Sequence, residues 1–363
     1  MNLRTVLTLA AGLAALLVVL VIADLGTDRA KAPGEPLFAG LRDDINAITS
    51  ITAIAAGDEV VATLTRQGDG WGVAERDGYP ADTGKLRKLL LALADARLVE
   101  AKTANPEYYT RLGVEDIRAE EASGVLVQVT TESGQYNVIV GDQVQGDYRY
   151  VRRADEPSSW LIDKNPEAPS QTADWLNDAI IDVAATLVHS VHIEHPDGQV
   201  IRLSKDNAAQ TDFIVSEIPA GRELSYASVA NVVGGVLDNL TLDDVSPAAE
   251  FSAAAINTSF ETFDGRVIRI SSEAIDANYW IQISSSYDPA LAARLAPPEV
   301  DEANDADRPA VVAGESAATK SQEETRAAVE ALTQRTQHWR YQIPQYKYEQ
   351  LTRRWQDLLK AAE

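Results

Sequence analysis

"WGVAERDGYPADTGKLRKLLLALADARLVE", residues 71–100, and "FIVSEIPAGRELSYASVANVVGGVLDNLTLDDV", residues 213–245, decide how the chain is read. In the first, Leu86, Leu89, Leu90 and Leu93 recur at i, i+3, i+4 and i+7, the stripe of an amphipathic helix, with Asp82 placed as its N-cap. In the second, Val229, Val232, Val233 and Val236 keep that spacing, with Ser225 placed as the N-cap. Upstream, Trp71-x-Val73 answers to Phe213-x-Val215, and "SITAI" from Ser50 answers to "SVHIE" from Ser190. The two stretches read as one unit used twice.

The correspondence extends outward. Ser133-Gly134 and Asp264-Gly265 are turns between segments of β preference. "DYRYVRR" at Asp147 matches "NYWIQIS" at Asn278, and each copy closes on a tryptophan strand, "SSWLID" with Trp160 and "HWRYQI" with Trp339. A helix with Trp175 and Leu176 is expected after the first, and one with Leu351, Trp355, Leu358 and Leu359 after the second. What repeats is apolar periodicity, turns and caps, so the repeated unit is a packing unit. The expected class is α+β, an N-terminal transmembrane helix followed by two tandem repeats of an antiparallel sheet packed with helices.

The 363 residues are enough for two or three domains, and 45% hydrophobic content is enough for real cores. A net charge of -23 repels a phosphate backbone, which excludes nucleic acid as the expected partner. With no cysteine, disulfides, thiolate nucleophiles and Cys-based metal sites are ruled out.

After "MNLR", residues 5–23 are uncharged and almost wholly apolar. At about 1.5 Å per residue they reach roughly 28 Å, a bilayer's hydrocarbon thickness. "AKA" at Ala30–Ala32 offers a signal-peptidase site, but Pro33 follows it and the apolar run exceeds a signal peptide's, so an uncleaved anchor is expected. Arg4 before the helix favours a cytoplasmic N-terminus with the bulk of the chain outside. The expected organisation is an anchor over residues 1–24, a tether over 25–40, a first repeat over 41–177, and a second over 178–363. An acidic low-complexity stretch, residues 288–323, interrupts the second repeat as an extended loop.

An anchor, then W-x-V, "YPAD", L-x-x-LL-x-x-L, "RLGV" and the closing "WRYQIPQYKYEQLTRRWQDLL" resemble the bacterial family called domain of unknown function 4340 over nearly all the chain after the anchor. The resemblance implies a single-pass inner-membrane protein, mostly periplasmic, that accompanies the permease and ATPase of an ABC-2-type transport system; some members are related to gliding-motility auxiliaries. It brings no catalytic, cofactor or metal residue.

The residues themselves offer little chemistry. No G-x-x-x-x-G-K-[ST] occurs, so the chain is not the ATPase, and no G-x-S-x-G nucleophile elbow occurs. His189, His192 and His195 form the most concentrated cluster of potential ligands. On a regular strand His192 faces away from the other two, which stand about 20 Å apart. Acidic runs such as Asp243-Asp244 read as solvated surface. The C-terminal Arg335, Arg340, Lys347, Arg353 and Arg354 accompany Trp339, Tyr341, Tyr346 and Tyr348. Their aromatics are expected to pack inward and their cations to point out; contact with a partner or with anionic headgroups is the other reading. The expectation is a non-enzymatic accessory subunit. The alternatives are an envelope metal-dependent hydrolase using the three histidines, and a cell-envelope ligand-binding or sensor module.

Overall fold

The computed structural model describes residues 32–296 and 322–361. They form a mixed fold of helices and large antiparallel sheets. Contacts divide the chain into two compact units, Met1–Thr63 with Gly84–Ser170, and Leu64–Thr83 with Gln171–Glu363. The expected anchor and the first part of the tether lie outside the described residues. Among those described, no helix is long and apolar enough to cross a membrane.

One sheet has nine strands: β1 Ile48–Ala55, β2 Glu59–Gln67, β3 Gly70–Val73, β4 Tyr79–Pro80, β5 Leu98–Ala101, β6 Val125–Thr131, β7 Gln135–Gln143, β8 Arg149–Arg153 and β9 Ser159–Ile162. Their order is β4-β3-β2-β1-β6-β7-β8-β9-β5. After a short strand β10 (Ala179–Ile181) come β11 Val188–Glu194, β12 Val200–Ser204, β13 Ile214–Ser216, β14 Leu240–Thr241, β15 Asp244–Pro247, β16 Ile256–Thr262, β17 Arg266–Ile275, β18 Asn278–Tyr287 and β19 Trp339–Gln342. β10 pairs with β14, and the others form a sheet ordered β13-β12-β11-β16-β17-β18-β19-β15. Apart from β4, the two orders match strand for strand. "SITAI" and "SVHIE" lie in equivalent strands, β1 and β11, and the turns at Ser133-Gly134 and Asp264-Gly265 join equivalent hairpins.

The termini of each sheet are tied alike. Ala81 bridges Leu176, with Asp82 N–H donating to Trp175 O (2.9 Å) and Asn177 N–H to Pro80 O (2.9 Å). Correspondingly, Leu224 bridges Leu359, Ser225 N–H donates to Leu358 O (2.9 Å), and Lys360 N–H to Glu223 O (2.9 Å). Entry also recurs. Leu98 N–H donates to Glu35 O and Leu37 N–H to Ala96 O, while Leu242 N–H donates to Asp178 O and Val183 N–H to Leu237 O.

The expected tether therefore ends early. Leu37, Phe38 and Leu41 are buried, so residues 34–41 belong to the first unit. Pro33-Gly34 makes the turn before them: Glu35 N–H donates to Ala32 O, and Gly34 sits at φ 91°, where a β-carbon would be strained.

In the first unit, helix α1 (Thr83–Asp95) buries Leu86, Leu89, Leu90, Leu93 and Ala94 as its spacing predicts. The other face of the sheet is covered too. The long connection from β5 to β6 carries a 3₁₀ helix, Pro106–Arg111, capped by Asn105, whose side chain accepts from Glu107 N–H. It lays Tyr109, Val114 and Ile117 over Leu126 and Ile139. In the second unit the equivalent connection, residues 248–255, is too short for such a cover. The matching strands there present Asn257, Ser259, Arg269, Ser271, Gln282 and Ser284, none of them buried.

The second repeat departs from expectation at its helix. Val229, Val233 and Val236 are buried, but only α2 (Asn231–Gly234) is α-helical, and the Ser225 hydroxyl donates to Leu358 O rather than capping it. β-Branched residues and the Gly234-Gly235 pair hold helix weakly. Gly234 is also needed for close approach, since a β-carbon there would run into the Phe213 ring.

The expected loop begins as a helix, α3 (Pro289–Leu295), because Asp288 accepts from Ala290 N–H and Leu291 N–H, Pro289 occupies the first turn, and Leu291 is buried. Residues 297–321 lie outside the described ones. Helix α4 (Gln322–Thr336) then buries Thr325, Val329, Leu332 and Thr336. The closing apolar set forms two helices, α5 (Gln345–Leu351) and α6 (Trp355–Leu358), broken at residues 352–354. Trp175 ends a 3₁₀ turn, Thr172–Trp175.

Gly234→Ala is expected to lower the denaturation midpoint of the second unit by an amount equivalent to about 1–3 kcal/mol, the usual scale for forcing a methyl into packed space. A midpoint equal to wild type would show that Phe213 can move aside.

Candidate functional site

The three histidines follow three separate courses. A bulge in β11 between Val188 and Ser190 sets His189 edge-on to Phe263, with centroids 5.2 Å apart. His192 stands on the open polar face, in register with Arg202 on one side and Ser259 on the other. His195 is buried, and its Nε2–H donates to Arg353 O at 3.0 Å, which places the proton on Nε2. Beside it Arg354 pairs with Asp197 at 2.6 Å, so the turn after β11 holds the C-terminal segment. Among the described residues no three His, Cys, Asp or Glu side chains are grouped to hold a metal ion.

The C-terminal cations do not all point outward. Lys347 is buried, and its Nζ donates to Val236 O (2.9 Å) and Asp238 O (2.8 Å), capping the end of the α2 region. Arg335 donates to Ile180 O at 2.7 Å. Arg340 lies over the Trp280 ring at 4.8 Å and donates to Ser246 Oγ at 2.7 Å. Tyr341 is buried as expected, Trp339 is half-buried, and Tyr346 is exposed.

Around β19 the second unit gathers several aromatic and charged contacts. Residues 64–83, which in sequence belong to the first repeat, are part of that unit. From them Tyr79 meets Trp339 edge-on at 5.1 Å and Tyr341 at 6.3 Å. Arg76 holds Asp244 with two bonds, Nε to Oδ1 at 2.7 Å and Nη2 to Oδ2 at 2.8 Å, and this hydrogen bonding raises its pKa. Burial pushes the Tyr79 phenol up to about 12, and burial also pushes Tyr341 up. Both shifts carry the phenols further from titration at neutral pH, and the cluster joins segments of the unit. Sequence reasoning paired Trp339 with Trp160 but missed Tyr79 as its neighbour. The signal was present in "GYPAD", an aromatic at a turn preceding a helix, with no periodicity to announce burial.

In the first unit, a cleft of about 410 Å³ is lined by Tyr109, Glu115, Asp116, Arg152 and Glu156 among others. Arg152 is buried in its wall, donating from Nε to Val114 O (2.9 Å) and from Nη1 to Glu156 O (3.3 Å), with its guanidinium 4.7 Å above the Tyr109 ring. Side-chain hydrogen bonding from Arg118 holds Asp116 down at about 2, the wrong direction for a proton donor at neutral pH. Arg152 braces the loop that covers the sheet.

The raised Tyr79 phenol has a consequence for alkaline stability. A group whose folded pKa lies above its ordinary value of 10.0 contributes stability that is complete below that value and is lost as pH rises through about 12. Tyr79→Phe should therefore flatten the alkaline unfolding curve between those limits. Tyr79→Ala should cost about 3–5 kcal/mol at neutral pH through the lost ring. Chemical denaturation across pH measures both, and equal alkaline slopes for wild type and Tyr79→Phe would refute the assignment.

The chain belongs to the family described as Domain of unknown function (DUF4340), whose model matches residues 71–257, just over half of its length. No curated protein and no solved structure matches it.

Proposed function

From that membership, we propose that this chain is a non-enzymatic, single-pass accessory protein of the bacterial inner membrane. Residues 5–23 cross the bilayer, and two tandem copies of the α+β unit stand on the extracytoplasmic side. Its work is to hold surfaces for the permease and ATPase of an ABC-2-type transport system. The observation that carries the reading is how the described polar clusters are used. His195, Arg152, Lys347 and Arg335 each bind a backbone carbonyl of another segment, and Arg76 binds Asp244, so each joins parts of the fold. An envelope hydrolase built on His189, His192 and His195 would need rings that converge, whereas these have separate neighbours. The duplication supports the same reading, since equivalent positions in the two copies share apolar packing and backbone ties rather than reactive groups.

Affinity purification of the tagged full-length protein from gently solubilised native membranes tests this. The expected result is an ABC permease and its ATPase above an anchor-only control, lost when residues 5–23 are deleted while the circular dichroism of the remainder is unchanged. Recovery of the bait alone would end the accessory reading. Stoichiometric metal in the purified protein, lost in His192→Ala, would replace it with the hydrolase.

A further inference from the structure

The outward face of α1 carries a run of cations. Gly84, Arg87, Lys88 and Leu91 share it at i, i+3, i+4 and i+7, and all four are exposed, Leu91 by 46%. Lys85 flanks them. The first turn holds no acidic residue and the last turn no basic one. The helix's one acid, Asp95, is engaged by the Arg42 guanidinium. In a chain of net charge -23, an exposed leucine one turn from Arg87 and Lys88 marks a local reversal of sign.

The same helix ends where the chain enters the fold. Leu37 N–H donates to Ala96 O (2.8 Å), Gly34 N–H to Leu98 O (2.6 Å), and exposed Arg97 donates from Nη1 to Gly34 O (2.8 Å). Asp163 Oδ1 accepts from Arg97 N–H at this junction, while Glu35 joins it through its backbone carbonyl, which accepts from Leu98 N–H, and leaves its carboxylate exposed. Residues 24–31 alone separate Ala32 from the apolar segment, and fully extended they reach about 28 Å at most. Helix α1, at 13 residues, is about 20 Å long. A tether of that length holds the entry point at Ala32 within about 28 Å of the apolar segment, and the end of α1 lies beside that entry.

We infer that the outward face of α1, centred on Arg87, Lys88 and Leu91, rests on the anionic phospholipid headgroups of the membrane that the anchor crosses. This inference depends on residues 5–23 being that anchor. Arg87 and Lys88 meet phosphate groups, Leu91 enters the interface, and the contact fixes the first unit against the membrane.

The absence of cysteine makes the test clean. Full-length Leu91→Cys and, as a control in the second unit, Tyr226→Cys are labelled with a polarity-sensitive fluorophore. Each is reconstituted into phosphatidylcholine vesicles with and without about a third phosphatidylglycerol. The expected result is several-fold protection of the residue-91 label from an aqueous quencher in anionic vesicles only. Arg87→Gln/Lys88→Gln or high salt should abolish it, while the residue-226 label stays open throughout. An alkaline wash separates the two ideas. Protein that resists extraction but shows equal quenching at both labels overturns the headgroup contact and leaves the anchor standing. Extraction by the wash overturns the anchor and this inference together. Protection in native membranes but not in anionic vesicles would overturn it in favour of a protein partner.

Discussion

A pair of backbone hydrogen bonds closes each copy of the unit, and most of the architecture follows from it. The segment after the last strand returns to the residue that precedes the helix region, through Asp82 and Trp175 in one copy and Ser225 and Leu358 in the other. Side chains at these positions differ, so the tie is made by groups every residue carries and survives divergence of sequence. It brings the chain's exit beside the start of the helix region. In the first copy the exit at Asn177 leads within two residues to β10, which opens the second sheet's entry pairing with β14.

Within that shared frame the copies differ through one connection. Twenty-odd residues between β5 and β6 are enough to carry a capped 3₁₀ turn and spread Tyr109, Val114 and Ile117 over Leu126 and Ile139. Eight residues between β15 and β16 are not, and the strands beneath carry Asn257 and Ser271 instead. An apolar face left uncovered would cost about 25 cal/mol per Å² exposed, so loop length and face polarity must agree. The second sheet therefore keeps an open polar face, where His192 stands.

Buried cations supply the other recurring device. Arg152, Lys205 and Lys347 are each enclosed, and each has a backbone carbonyl as acceptor: Val114 for the first, Ala185 for the second, Val236 for the third. Burying a charge costs several kcal/mol unless hydrogen bonds replace its water. Carbonyls at loop and helix ends are otherwise unsatisfied, so each cation and the segment it binds answer the same need. Burial lowers the pKa of both lysines, consistent with groups placed for reach rather than for charge. Residues that look like a chemical inventory in the sequence are, in the fold, mostly fasteners.

What the sequence determined by itself is whatever depends on short-range period. The leucine stripe of α1, the paired strands "SITAI" and "SVHIE", the two hairpin turns and the tryptophan strands are all where spacing puts them, because side chains three, four or two residues apart must share a face. The tertiary structure alone decided the rest. The valine stripe folds as a single α-helical turn because β-branched residues and the Gly234-Gly235 pair hold helix weakly, and the packing of Phe213 on Gly234 is what requires glycine there. Lys347 turns inward because carbonyls more than a hundred residues away need a donor, and the partners of His189 and His195, Phe263 and Arg353 O, arrive from distant segments. Residues 64–83 join the second unit through Tyr79 and Arg76, whose partners Trp339 and Asp244 lie more than 160 residues on. Local period is written in neighbouring residues; the partner of a polar or aromatic side chain is fixed only when distant segments arrive beside it.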